Sequence, residues 1–204
     1  MSQKNENSSN LIVTISGPSG VGKGTIVKQL LLSDEMNFQL NVSATTRHRR
    51  ENEVDGKEYF FLSKEDFLKK VKNNEFVEWV EYDNFYYGTL KKTVQELLNL
   101  QKNVLFEIDY RGVKSLKNVF GLKNVFSIFI LPPSLEKLRE RLIDRKSENI
   151  ESINKRMGIA IKEIDDTEIY DLLVINNDLK RCYNEILDAL LRHAKTIKKI
   201  RKEG

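Results

Sequence analysis

The sequence predicts an α/β fold: a parallel sheet flanked by helices, with a small mixed, β-rich insertion. Three observations carry that expectation. An apolar run over residues 11–15 leads into the glycine-rich stretch Gly17-Pro18-Ser19-Gly20-Val21-Gly22-Lys23-Gly24-Thr25, then into a helical pattern of Ile26, Val27, Leu30 and Leu31. Three further apolar runs, over 104–108, 125–131 and 172–175, alternate with helical patterns such as Leu90, Val94, Leu97, Leu98 and Leu135, Leu138, Leu142. Residues 40–89 break this alternation with short aromatic and β-branched runs separated by Asn and Gly.

The first element is the most informative. Strand, glycine-rich turn and helix, in that order, are the context a phosphate-binding loop (P-loop) requires. Glycines let backbone N–H groups wrap closely around an anion; the helix N-terminus adds its positive end, and Lys23 adds a full charge. A plain tight turn accounts for Gly, Pro and Ser but not for a lysine at this place. The ligand class is therefore a nucleoside triphosphate. The position after Lys23 ordinarily carries a Ser or Thr that ligates magnesium, and here it is Gly24. Thr25 lies about 100° further round the helix and does not take over that position. Magnesium is thus expected to be held mainly by water, phosphate oxygens and a remote carboxylate. The run Gly-Lys-Gly-Thr resembles the loop of adenylate kinases and points toward small nucleotide kinases.

Further along, Ser63-Lys64-Glu65-Asp66 resembles a capping box that opens a short helix with Phe67, Leu68 and Val71 inside. Pro132-Pro133 ends a strand, and Ser134 is placed to cap the next helix. Residues 144–155 are polar and aperiodic, the composition of a mobile lid and equally of an exposed connection. Ligands of open parallel sheets bind beyond the carboxyl ends of the strands, where the phosphate loop and Asp109 both fall.

At 204 residues the chain suffices for one such domain with small insertions. A charged fraction of 31 % with net charge +4 is compatible with anionic ligands and with an ordinary soluble surface. The single cysteine, Cys182, excludes an internal disulfide framework, suits a reducing compartment and reads as a small helix residue. No apolar stretch approaches membrane-spanning length. Residues 1–10 are polar, lack the apolar core of a signal peptide and are expected to be a flexible lead-in. The basic stretch 192–202 reads as a solvated helix end rather than a nucleic-acid surface.

Together these segments resemble the guanylate kinase family. The matching runs are Ile15-Ser16-Gly17-Pro18-Ser19-Gly20-Val21-Gly22-Lys23, Ser43-Ala44-Thr45-Thr46-Arg47 with Arg50, and Asn73-Asn74-Glu75-Phe76-Val77-Glu78-Trp79. Tyr86-Tyr87-Gly88-Thr89, Glu107-Ile108-Asp109 with Gly112, Pro132-Pro133-Ser134 and Glu151-Ser152-Ile153-Asn154-Lys155-Arg156 follow in family order. The resemblance implies a core (11–39, 90–143 and 157–204), a GMP-binding insertion (40–89) and a lid (144–156). It implies the reaction ATP + GMP giving ADP + GDP, with magnesium accompanying ATP, in the cytoplasm. No membrane, nucleic acid or obligatory protein partner is implied.

The resemblance also assigns roles. Gly17 to Thr25 bind the ATP phosphates, and Asn176 matches a residue near the adenine ring. Arg47, Arg50, Tyr59 and Tyr87 match groups on the GMP phosphate; guanidinium forks suit phosphate oxygens. Glu78 matches the reader of the guanine base, whose N1–H and 2-amino group are adjacent donors to one carboxylate. Ser43, Gly88 and Thr89 match positions beside the base; Thr89 stands where serine is frequent. Asp109, with Glu107, is a candidate for magnesium through water, or for the ribose or amino group of GMP. Lys23, Arg141, Arg145 and Arg156 would meet charge on the transferred phosphoryl group. Arg145-Lys146-Ser147-Glu148 departs from the family's usual Arg-Gly-Thr-Glu. The competing reading is a catalytically inactive guanylate-kinase-like module that binds protein partners. A GTP-hydrolysing switch would call for an Asn-Lys-x-Asp motif, which the sequence lacks.

Overall fold

The computed structural model describes residues 10–144 and 150–203. Its strands are β1 (Ile12–Ser16), β2 (Phe38–Leu40), β3 (Ala44–Thr45), β4 (Phe60–Phe61), β5 (Phe76–Tyr82), β6 (Phe85–Leu90), β7 (Asn103–Glu107), β8 (Val125–Leu131) and β9 (Leu172–Ile175). Its helices are α1 (Lys23–Leu32), α2 (Lys64–Lys72), α3 (Lys91–Asn99), α4 (Tyr110–Phe120), α5 (Leu135–Asp144), α6 (Ile150–Asp165) and α7 (Leu179–Glu203).

The first sheet is parallel, in the order β2-β7-β1-β8-β9. β1 lies at its centre, and all five of its residues are buried. That is why its sequence is a continuous apolar run rather than an alternation: both faces are covered. One face meets α1, α5, α6 and α7 through Leu30, Leu138, Ala160, Ile186 and Leu190. The other meets α3 and α4 through Val94 and Leu116. The expected parallel sheet with helices is therefore present, with one strand added: β2, three residues at the sheet edge. Only Phe38 of β2 is buried, so its sequence carries no run long enough to read.

The second sheet is mixed, in the order β4-β3-β6-β5, with β3 parallel to β4 and antiparallel to β6. β5 and β6 form a hairpin whose turn residues, Asp83 and Asn84, both have positive φ (51° and 64°). Helix α2 starts as the sequence predicts: the Ser63 hydroxyl accepts the Asp66 amide at 3.0 Å. Its Phe67 is fully buried and stacks on Phe76 and Tyr86, closing one face of this sheet.

Two boundaries differ from expectation. α6 begins at Ile150, so residues 150–156 are helical rather than irregular. Only Ile153 and Ala160 of that helix are buried, which leaves almost no apolar period to see. Leu90, counted with the helix, ends β6 and caps α3.

Candidate active site

The phosphate loop spans the turn between β1 and α1, and the side chains around it hold it in shape. Lys23 folds back, its Nζ donating to the carbonyls of Gly17 (2.7 Å) and Pro18 (3.1 Å). The buried Asn176, just beyond β9, donates its Nδ2 to Val21 O at 2.8 Å. From α5, Arg141 reaches Val21 O (3.4 Å) and Asn176 O (3.0 Å). From α6, Arg156 donates to the Ser19 hydroxyl at 2.6 Å. Gly22 has φ 106°, and a Cβ there would stand 2.6 Å from Asn176 Nδ2, so both conformation and space require glycine. Four residues scattered through the sequence thus meet one loop. Arg145 lies outside the described residues.

The second sheet supplies the other half. Side chains alternate across a strand, so one face carries Thr45, Phe61, Tyr87, Thr89 and Glu78, the last two paired across β5 and β6. The opposite face, with Ala44, Phe60 and Tyr86, joins the core under α2. Arg47 follows β3, and its guanidinium lies 5.5 Å from the centre of the Tyr59 ring. Tyr59 meets Tyr87 edge-on at 6.0 Å. Arg47, Tyr59 and Tyr87 therefore form one cluster, two residues along β6 from Thr89. Arg50 is exposed nearby, and Ser43 precedes β3. At Gly88 the strands approach closely; a Cβ would sit 2.8 Å from Glu78 O.

Glu78 accepts a hydrogen bond from the Thr89 hydroxyl at 2.7 Å. Burial pushes its carboxyl above the usual range; Thr89 opposes this, and Asp109 adds to it. Burial likewise raises the Tyr59 phenol.

Asp109 lies where the two halves meet. β7 stops at Glu107, and Asp109 is the N-cap of α4, not a strand residue. Its Oδ1 accepts the Gly112 amide (3.1 Å), and its Oδ2 accepts Arg111 Nη2 (2.7 Å) and Nε (3.1 Å). Asp109, Arg111 and Glu78 line a single cavity of about 330 Å³ between β5 and α4. Glu107 is exposed at the strand end.

Comparison with known proteins agrees with this geometry. A family model described as guanylate kinase matches residues 8–193. A guanylate kinase of Porphyromonas gingivalis is 43% identical over 180 residues, covering 88% of this chain and 95% of that one. One from Mycoplasmoides gallisepticum is 43% identical over 188 residues, covering 92% and 95%. The crystal structure of guanylate kinase from Anaplasma phagocytophilum superimposes with a TM-score of 0.69 at 29% identity, over 92% of this chain and 88% of that one.

The chain belongs to the guanylate kinase family. Several residues around this guanylate kinase site were not singled out from the sequence. Glu53, amid the arginines, pairs with Arg47 at 2.7 Å. Glu163 on α6 is raised by burial while Lys23 opposes the shift. Tyr170, hydrogen-bonded to Ser16, is pushed by burial to about 12. The available hint for Glu53 was its place six residues after Arg47 and three after Arg50, in an acid-rich run. Nothing local marked Glu163 or Tyr170, which their helix and loop bring in from far along the chain.

Proposed function

We propose that this chain transfers the γ-phosphoryl group of ATP to GMP, giving ADP and GDP. The observation that carries the reading is the shared face of the second sheet. Guanidinium and phenol groups stand at one end of it and the Glu78–Thr89 pair at the other, beside Asp109 at the mouth of the parallel sheet. A nucleoside monophosphate has that layout: an anion at one end, a hydrogen-bonding base at the other.

In this reading the amides of residues 17–25 cradle the donor phosphates, and Lys23 exchanges its carbonyl partners for phosphate oxygens. Asn176 and Arg141 keep the loop in shape through Val21. Arg47, Arg50, Tyr59 and Tyr87 hold the acceptor phosphate. Glu78 accepts the guanine N1–H and 2-amino donors; adenine's N1 lone pair would repel it. Ser43, Gly88 and Thr89 frame the base, and Asp109 contacts its amino edge or the ribose. Arg141, Arg145 and Arg156 meet charge on the moving phosphoryl group, with residues 144–156 as the lid. No general base is needed, because the attacking phosphate is already anionic; catalysis is positioning and charge neutralisation.

Magnesium fits as a hydrated ion carried on ATP. Among the described residues no cluster of three or more His, Cys, Asp or Glu could hold a metal. Beyond its chain neighbours and the backbone of its own helix, no atom lies within 4 Å of a Cβ at Gly24, which leaves room for a hydrated ion there. Glu107 and Asp109 are the carboxylates that would hold it through water. When bound, it would supply charge neutralisation on the donor phosphates. The working compartment in this proposal is the cytoplasm; no described helix is long and apolar enough to cross a membrane.

The deciding experiment is a coupled assay of ADP formation from ATP-magnesium with GMP, AMP, CMP and UMP in parallel. Turnover with GMP well above the other three is expected. Binding of GMP without turnover would instead support the inactive protein-interaction module.

A further inference from the structure

The loop between β3 and β4 reads as basic, yet its own acids hold it together. Glu58 Oε2 accepts the Val54 amide at 2.6 Å, and Asp55 Oδ1 accepts the Phe61 amide at 2.8 Å. Glu53 does the same with one oxygen, accepting the Arg50 amide at 2.8 Å. Its other oxygen does something different: it accepts Nη2 of Arg47 at 2.7 Å, with both side chains only 15% exposed. Arg47 Nη1 donates to the His48 carbonyl at 2.7 Å, and the Tyr59 and Phe61 rings flank the guanidinium at 5.5 and 5.8 Å. The fork is thus fixed by a carboxylate, a carbonyl and two rings. Those contacts occupy two of its five N–H donors.

A carboxylate beside a site for a phosphate dianion is electrostatically adverse, so attraction alone does not account for it. Orientation does. A long, flexible arginine loses much side-chain entropy when it grips an anion, and a fork already held in place loses less. The same carboxylate bends residues 50–53 back toward Arg47, so one side chain sets both the fork and its loop. The pairing holds the Glu53 carboxyl below, and the Arg47 guanidinium above, their ordinary values.

We infer that Glu53 is a positioning residue for the acceptor phosphate, acting through the Arg47 guanidinium and the Arg50 amide. This rests on the reading of Arg47 as a phosphate ligand. It is tested by calorimetric titration of GMP, guanosine and ATP into Glu53→Ala, Glu53→Gln, Arg47→Ala and the Glu53→Ala/Arg47→Ala double variant. Glu53→Ala is expected to weaken GMP binding ~10-fold while guanosine and ATP stay within about twofold. Glu53→Gln, which keeps an acceptor for Arg47, recovers most of that loss. In the Arg47→Ala background, Glu53→Ala has no further effect on GMP. Tighter GMP binding in Glu53→Ala would show a competing carboxylate and overturn the inference. So would unchanged GMP binding, or a parallel loss for ATP and guanosine. Intact GMP binding in Arg47→Ala would overturn the phosphate assignment itself, a separate result.

Discussion

The two halves of this site bind by different means. In the proposed reading, the backbone of residues 17–25 on the parallel sheet is the binding surface, and side chains such as Asn176 and Arg141 hold that backbone. On the second sheet the side chains themselves are the surface, displayed on one face by strand alternation. The donor half is embedded in the largest core; the acceptor half rests on a small aromatic one around Phe67. A backbone cradle accepts any triphosphate tail, whereas a row of side chains discriminates between bases. In the proposed reading, selectivity therefore belongs to the thinner half of the molecule.

This contrast breaks most visibly at Lys23. Lys23→Ala is expected to lower turnover ~10³-fold with the melting temperature nearly unchanged. Unaltered ADP formation would remove the lysine from the donor half. Next in size, Glu78→Gln is expected to weaken GMP ~10²-fold and leave ATP alone, by calorimetry. Equal loss of both nucleotides would erase the proposed division of labour.

The same residue predicts a pH effect. Burial raises the Glu78 carboxyl, so GMP affinity falls, as pH is lowered, at a pH above the ordinary carboxylate range. For stability the sign is opposite. A carboxyl with a raised folded pKa favours the fold most when protonated, below its unfolded value. That contribution is lost as pH rises through the folded pKa. GMP titrations across the acid range, with Glu78→Gln as the flat control, measure the binding limb.

Smaller still is Gly88→Ala, expected to cost about 1–3 kcal/mol by forcing β5 and β6 apart, with GMP affinity falling before ATP affinity. Chemical denaturation alongside both titrations separates these effects. The smallest is Gly24→Ala, where the added Cβ meets open space; a gain of about 0.5 kcal/mol in helix stability is expected. A large loss there would mean the loop is less roomy than its geometry shows.

How much the sequence revealed follows the same division. β8 and β9 occur at the residues their apolar runs mark; β8 is mainly apolar because it is covered on both faces, whereas β9, at the sheet edge, leaves Leu173 and Ile175 exposed. The strand, glycine-rich turn and helix at residues 12–32 were legible because glycine spacing and an apolar run are local features. The proposed acceptor groups were suggested only by family resemblance. A glutamate beside a tryptophan, as at Glu78-Trp79, looks like surface until a hairpin places Thr89 opposite it. β2 and the first turns of α6 were missed because too few of their residues are buried to leave a pattern. Glu163 and Tyr170 come to the site through tertiary geometry, which no local window contains.

The stacked rings of Phe67, Phe76 and Tyr86 have a kinetic consequence. They are expected to make the second sheet a cooperative unit of its own, opening while the five-stranded sheet stays zipped. Amide deuteration should then reach β5 and β6 well before β1 and β8, and bound nucleotide should slow the first pair far more than the second. Residence time of the monophosphate would be governed by that partial opening rather than by global unfolding.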